Sequence, residues 1–95
     1  MLNGKQKRYL RSLAQSERAI FQMGKDGLSD NYIEQISNAL SARELVKISV
    51  LKTGPSDLKE ASFDLARLTK SEVVQIIGRT IVLYRVAKEP KILLP

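Results

Sequence analysis

Apolar residues recur along this chain with two periods, and the switches between them mark out seven elements. From Gly4 to Ala14 they return at helical spacing, with Asn3 placed to cap the start. At about 100° per residue, Leu2, Tyr9, Leu10 and Leu13 share one side, while Lys7, Arg8 and Arg11 gather on the roughly opposite arc. A polar connection, Gln15 to Arg18, leads into a first strand over residues 19–23. The chain then turns through Met23-Gly24-Lys25-Asp26-Gly27-Leu28-Ser29 into a helix over residues 30–43. Ser29 is its expected cap, Leu28 and Ile33 form a hydrophobic staple, and Ile33, Ile36, Ala39 and Leu40 make its buried stripe, flanked by Tyr32.

Strict alternation takes over from Leu45 to Leu51, where Val46, Ile48 and Val50 interleave with Lys47 and Ser49, the pattern of a half-buried strand. Lys52-Thr53-Gly54-Pro55 ends it. A third helix, capped by Ser56 or Asp57, runs to about Thr69 with Leu58, Ala61, Leu65 and Leu68 on its buried side. Phe63 falls off that stripe, so it either lies flat on the domain or stands exposed as a contact for a partner. Residues 73–77 and 80–86 read as strands joined by Gly78-Arg79, a glycine-first loop that suits a type II′ hairpin and puts Arg79 at an exposed tip. Residues 87–95, with Pro90 and Pro95, form an extended tail whose Ile92-Leu93-Leu94 lies along the domain. The order α-β-α-β-α-β-β implies an α/β fold: a two-layer sandwich on a four-stranded mixed sheet. Its 95 residues make a single domain, 1–95.

Composition narrows the chemistry. Without histidine or cysteine there is no Ser-His-Asp or Cys-His nucleophile and no imidazole or thiolate zinc site. No apolar run approaches the ~20 residues of a membrane span, and Met1-Leu2-Asn3-Gly4-Lys5 runs into charged residues with no apolar signal segment, so a cytoplasmic, non-membrane protein is expected. Charge is the stronger signal. The net +6 is segregated: residues 1–25 carry six cations against Glu17 alone, and residues 73–95 carry four against Glu89. The middle holds six cations and eight acids. Basic ends around a mildly acidic centre are the footprint of a polyanion binder. Lys7, Arg8 and Arg11 have no acid on their helix to offset their repulsion, which an anion would relieve.

The loop Gly24-Lys25-Asp26-Gly27 suits a phosphate by a different route. Its glycines leave the backbone unshielded, a helix N-terminus follows, and Lys25 adds a full charge. A tight connection is the plain alternative. The loop is not a Walker A sequence, which needs G-K-[ST], nor a dinucleotide fingerprint, which needs a third glycine and a later acid. It matches the short G-x-x-G by which KH-type modules clamp a single-stranded nucleic acid backbone. Asp26 is an odd residue there: it either caps the following turn or helix, or opposes phosphate. Glu60 and Asp64, one helical turn apart, invite a magnesium reading, but no third carboxylate joins them and a solvated face is expected, with no metal or cofactor.

Taken together, Gly4-Lys5-Gln6-Lys7-Arg8-Tyr9-Leu10-Arg11-Ser12-Leu13-Ala14 and Gly24-Lys25-Asp26-Gly27 resemble the start of the YhbY-type CRM domain family. Arg43 to Ile48, Val74 to Gly78, Ile81 to Arg85 and the ending Lys88 to Pro95 fit the same pattern, so the resemblance covers essentially the whole chain. It implies a fold similar to the C-terminal domain of translation initiation factor 3. It also implies RNA binding, with ribosomal RNA in large-subunit precursors as the partner and no small-molecule substrate. The family's loop falls on Gly24, Lys25, Asp26 and Gly27, and its basic surface on Lys5, Lys7, Arg8 and Arg11; Arg79 and Arg85 are expected to extend the track. Asp26 departs from the family's usual small or neutral residue. Two other readings stay open: a protein-interaction module for an acidic partner anchored at Phe63, and a magnesium-dependent nuclease using Asp57, Glu60 or Asp64. A non-catalytic RNA-binding protein is the reading expected here.

Overall fold

Two kinds of connection build the sheet. In the computed structural model, which describes residues 2–95, the elements are α1 (Gly4–Gln15), β1 (Phe21–Met23), α2 (Asp30–Arg43), β2 (Leu45–Val50), α3 (Leu58–Thr69), β3 (Glu72–Ile77) and β4 (Thr80–Tyr84). A helical crossover through α2 makes β1 and β2 parallel neighbours, with Met23 opposite Val50. The tight Gly78-Arg79 turn makes β3 and β4 antiparallel, and β4 then inserts beside β2, giving the order β1-β2-β4-β3. Gly78 sits at φ +57° and Arg79 is not among the positive-φ residues, as a type II′ turn requires.

Alternation assigns the two faces. Val46, Ile48 and Val50 of β2 join Ile81 and Leu83 of β4 in one core, sealed by Ile36, Ala39 and Leu40 of α2 and by Ala61, Leu65 and Ala66 of α3. On the other face Leu45, Val74, Val82 and Tyr84 meet Leu10 and Ala14 of α1, with Leu13, Ile92 and Leu94 against them. The molecule is therefore three layers deep, α1 on one side of the sheet and α2 with α3 on the other. This corrects the expected two. The physical reason is β4: Ile81, Val82, Leu83 and Tyr84 are all buried, so the strand needs cover on both faces.

Caps set the helix starts. Asn3 and Gln6 form a reciprocal capping box on α1, with Asn3 Oδ1 accepting from the Gln6 N–H at 2.8 Å. Ser29 caps α2 by accepting from Tyr32 N–H, and Asp57, rather than Ser56, caps α3 by accepting from Glu60 N–H at 3.0 Å. Two helix faces are rotated from expectation. Leu68 is 43% exposed, because Ala61, Leu65, Ala66 and Thr69 take the inner side of α3. On α1 the smaller Ala14 pairs with Leu10 inside, leaving Tyr9 exposed.

At the lower end of the sheet, where β2 begins and β4 ends, a buried carboxylate fastens the tail and a half-buried arginine fastens the helices. Glu44 links α2 to β2 at φ 66°, a strained value for a residue with a Cβ, and is fully buried. Its carboxylate accepts N–H bonds from Ala87, Lys91 and Ile92 at 2.7–2.8 Å. Burial pushes this carboxyl up, but those three donors and the Lys91 ammonium outweigh it and hold the group below the ordinary 4.5. Next to it, Arg85 donates to Thr69 O, Ser37 O, and the hydroxyls of Ser37 and Ser41, fastening the last turns of α2 and α3 to the end of β4.

Candidate nucleic-acid interface

The glycine loop is short because one hydrogen bond closes it: Gly27 N–H donates to Gly24 O at 3.0 Å. Lys25 and Asp26 occupy the exposed turn positions. Of the two glycines only Gly27 needs a positive φ, at +56°. A Cβ on Gly24 would meet only Leu51 Cδ1, at an ordinary 3.7 Å, so the fold tolerates a side chain there. The turn thus does not require Gly24. A third glycine, which the sequence pattern showed only as a strand end, supports the loop from below. A Cβ on Gly54 would lie 2.8 Å from Met23 O and 3.3 Å from Gly24 O.

The loop forms one wall of a groove of about 610 Å³, whose other walls are Ser29, Asn31, Tyr32 and Gln35 of α2 and Leu51 and Thr53 after β2. It faces the N-terminus of α2, where unpaired N–H groups favour an anion. Ser29 caps that helix, so helix capping does not account for Asp26. The Tyr32 hydroxyl is buried without a hydrogen-bond partner among the described residues, and burial pushes it up to about 12. Asn31, Gln35 and Thr53 were not expected at the site. They come from elements that only the folded chain brings together.

The basic helix lies elsewhere. α1 crosses the opposite face, its N-terminal end over β3, where Leu2 N–H donates to Glu72 Oε1, and its C-terminal end over β2. There Lys47 Nζ donates to Ala14 O at 3.2 Å and Glu17 O at 3.4 Å, a cation on the negative end of the helix. Lys5 and Arg8 are exposed, and Lys7 and Arg11 are half-buried. Lys7 lies beside Leu2, Phe63, Arg67 and Glu72 along a pocket of about 330 Å³, closer to the buried side than its expected place. The tail packs beside α1, with Ile92 and Leu94 against the same buried cluster as Leu13 and with Gln6 Nε2 donating to Pro95 O. Lys7, Arg8 and Arg11 lie toward the other flank. The loop and the helix cations therefore do not form one continuous edge.

Two further arginines are held by the fold. Arg79 is half-buried rather than at a free tip: its Nε donates to Val50 O at 2.9 Å and its Nη2 to Leu51 O at 2.6 Å. Both terminal nitrogens of Arg85 are engaged in the clamp described above. The carboxylates of the nuclease reading are also in use, Asp57 as a helix cap and Asp64 paired with Arg67 at 3.5 Å. Among the described residues no three His, Cys, Asp or Glu side chains are grouped to hold a metal ion, and no helix is long and apolar enough to cross a membrane.

Comparison with known proteins agrees with this architecture. The family model of the CRS1/YhbY (CRM) domain matches residues 2–85. The Bacillus subtilis protein named Probable RNA-binding protein YqeI is 52% identical over 91 residues, which cover 96% of this chain and 95% of that protein. A Haemophilus influenzae protein named RNA-binding protein is 36% identical over 94 residues, covering 99% and 95%. The solution structure of the hypothetical protein SAV1595 from Staphylococcus aureus, described as 'a putative RNA binding protein', superposes with a TM-score of 0.84 at 52% identity over the full length of both chains.

Proposed function

Because the chain belongs to the CRS1/YhbY (CRM) domain family, we propose that it is a non-catalytic, cytoplasmic RNA-binding protein that engages ribosomal RNA in precursors of the large subunit. The observation that carries the reading is the loop: Gly24 has room for a side chain it does not carry, directly beside Lys25 and the N-terminus of α2. In this reading Gly24 and Gly27 admit a phosphate to the backbone, Lys25 neutralises it, and Asp26 limits its affinity. Lys5, Lys7, Arg8 and Arg11 hold further phosphates on the other face, and Arg79 offers its remaining guanidinium nitrogen at the upper end of the sheet. Arg85 drops out, since the fold uses its terminal nitrogens. Phosphate contacts fix affinity and register but carry no sequence, so discrimination comes from RNA shape or from unpaired bases. Crosslinking in cells, followed by sequencing of the bound RNA, tests the ribosomal part. Reads concentrated on large-subunit precursor RNA are expected, and reads spread evenly over unrelated transcripts contradict it.

One observation favours a second reading. Phe63 is 53% exposed and lines a pocket with Lys7, Arg67 and Glu72, an apolar anchor beside Lys7 for an acidic protein. Nuclease treatment separates the two, since a protein partner stays bound after RNA is digested.

A further inference from the structure

Between the loop and the basic helix lies a strip of sheet that no helix covers. The strand registers align four residues across all four strands: Gln22 opposite Ser49, Ser49 opposite Thr80, and Thr80 opposite Ile77. All four project on the α1 side, because their alternation partners Phe21, Met23, Ile48, Val50, Ile76 and Ile81 face the other way. The next row down, Lys47–Val82–Gln75, already meets α1: Val82 is buried in its core and Lys47 binds its last carbonyls. The upper row belongs to neither core. Its outer members, Gln22 and Ile77, are exposed, Ile77 by 59%, and the short Ser49 and Thr80 between them are half-buried. At about 4.8 Å between strands the row is about 14 Å long: a shallow trough with a short, flat floor and a longer side chain at each end.

The surroundings match one kind of occupant. No carboxylate stands in this row or in the row below it. At one end the chain passes from Gln22 through Met23 into Gly24 and Lys25. α1 borders the other side, with Arg8 and Arg11 on the flank away from the tail, while Lys7 sits farther off beside Glu72 at the start of β3. A neutral trough with amide, hydroxyl and aliphatic groups, bounded by cations, suits bases lying on the sheet with phosphates at its margins. We propose that the row Gln22–Ser49–Thr80–Ile77 is the base-contacting floor for an unpaired RNA segment that passes between the glycine loop and the cationic flank of α1. The proposal rests on the RNA-binding reading above and adds the substrate class: single-stranded RNA, gripped by its bases as well as its backbone.

The test uses neutral substitutions, which leave the phosphate charges in place. Affinities of the full chain for a labelled 12-nucleotide unstructured RNA and for a 16-base-pair RNA duplex are measured over a range of salt. For Gln22→Ala/Ile77→Ala the expected result is a loss of about five- to tenfold on the single strand, with the slope against salt unchanged and little effect on the duplex. Asn38→Ala, on the exposed side of α2, controls for a general surface effect and is expected to bind as the wild type does. Unaltered single-strand affinity in the double variant, or equal loss on both RNAs, overturns the proposal. Lys25→Gln/Arg8→Gln keeps the two readings apart. If it weakens binding while the row variant does not, the phosphate surface stands and the base floor falls. If neither weakens binding, both fall.

Discussion

The two ends of the sheet treat charge differently: the lower end partners Glu44 and Arg85, while the upper end holds Arg79 on two carbonyls but leaves Lys25 exposed. At the lower end, Glu44 and Arg85 are surrounded by partners, three N–H donors on the carboxylate and four acceptors on the guanidinium. At the upper end Lys25 is exposed on a two-residue turn, beside a glycine whose missing side chain the fold does not require. The comparison teaches that a cation's presence in a basic protein says little until its neighbours are known. Lys47 and Arg85 stabilise carbonyls of the fold, whereas Lys5, Arg8 and Lys25 do nothing evident for it.

The largest expected effect separates the ends by stability. Glu44→Ala strands three main-chain donors and should cost about 3 kcal/mol or more, read as a lower denaturant midpoint and loss of protection from hydrogen exchange at Ala87, Lys91 and Ile92. RNA affinity of the folded fraction should stay within about twofold of wild type, a change of less than ~0.5 kcal/mol. A smaller effect follows from pH. The Glu44 carboxyl is held below its ordinary value in the folded state, so the unfolded chain binds the extra proton in acid. Its stabilisation is complete above the unfolded value near 4.5 and is lost as pH falls through the lower folded value. Unfolding titrations should therefore show wild-type stability declining below that point more steeply than Glu44→Gln.

Much of this was legible in the chain, and the failures have physical causes. Periodicity located all seven elements, because caps such as Asn3 and Ser29 and the glycines around 24–27 and at 78 mark their ends in local chemistry. The layer count was misjudged although its signal was present: Ile81-Val82-Leu83-Tyr84 is apolar without alternation, which means burial on both faces. The loop's tight turn was readable from its glycines, but its groove was not. Gly54 and Thr53 come beside the loop through the β1–β2 pairing, and Gln35 through the packing of α2. Nor could spacing tell that Arg85 points inward, since its acceptors, Ser37, Ser41 and Thr69, sit on two other elements.

Smaller effects sharpen the upper end. Gly24→Ala should fold with wild-type stability, given the ordinary 3.7 Å contact its Cβ would make, yet bind RNA several-fold more weakly because the methyl group holds a phosphate off the backbone. Equal binding by that variant would return Gly24 to a mere connection. Asp26→Asn removes an acid that does not cap α2. RNA binding should tighten by about two- to threefold, on the order of 0.5 kcal/mol, in a low-salt titration, with thermal stability unchanged.

The measurement that bears most directly on the account is the salt dependence of RNA affinity in Lys25→Gln/Arg8→Gln beside Arg85→Gln. If the exposed cations neutralise phosphates, the first variant's slope of log K against log salt should fall by about 1.4–1.8 without loss of thermal stability. Arg85→Gln should lose thermal stability and keep the wild-type slope. A wild-type slope in Lys25→Gln/Arg8→Gln, or a slope that drops only in Arg85→Gln, would contradict the assignment of the loop and the first helix to RNA.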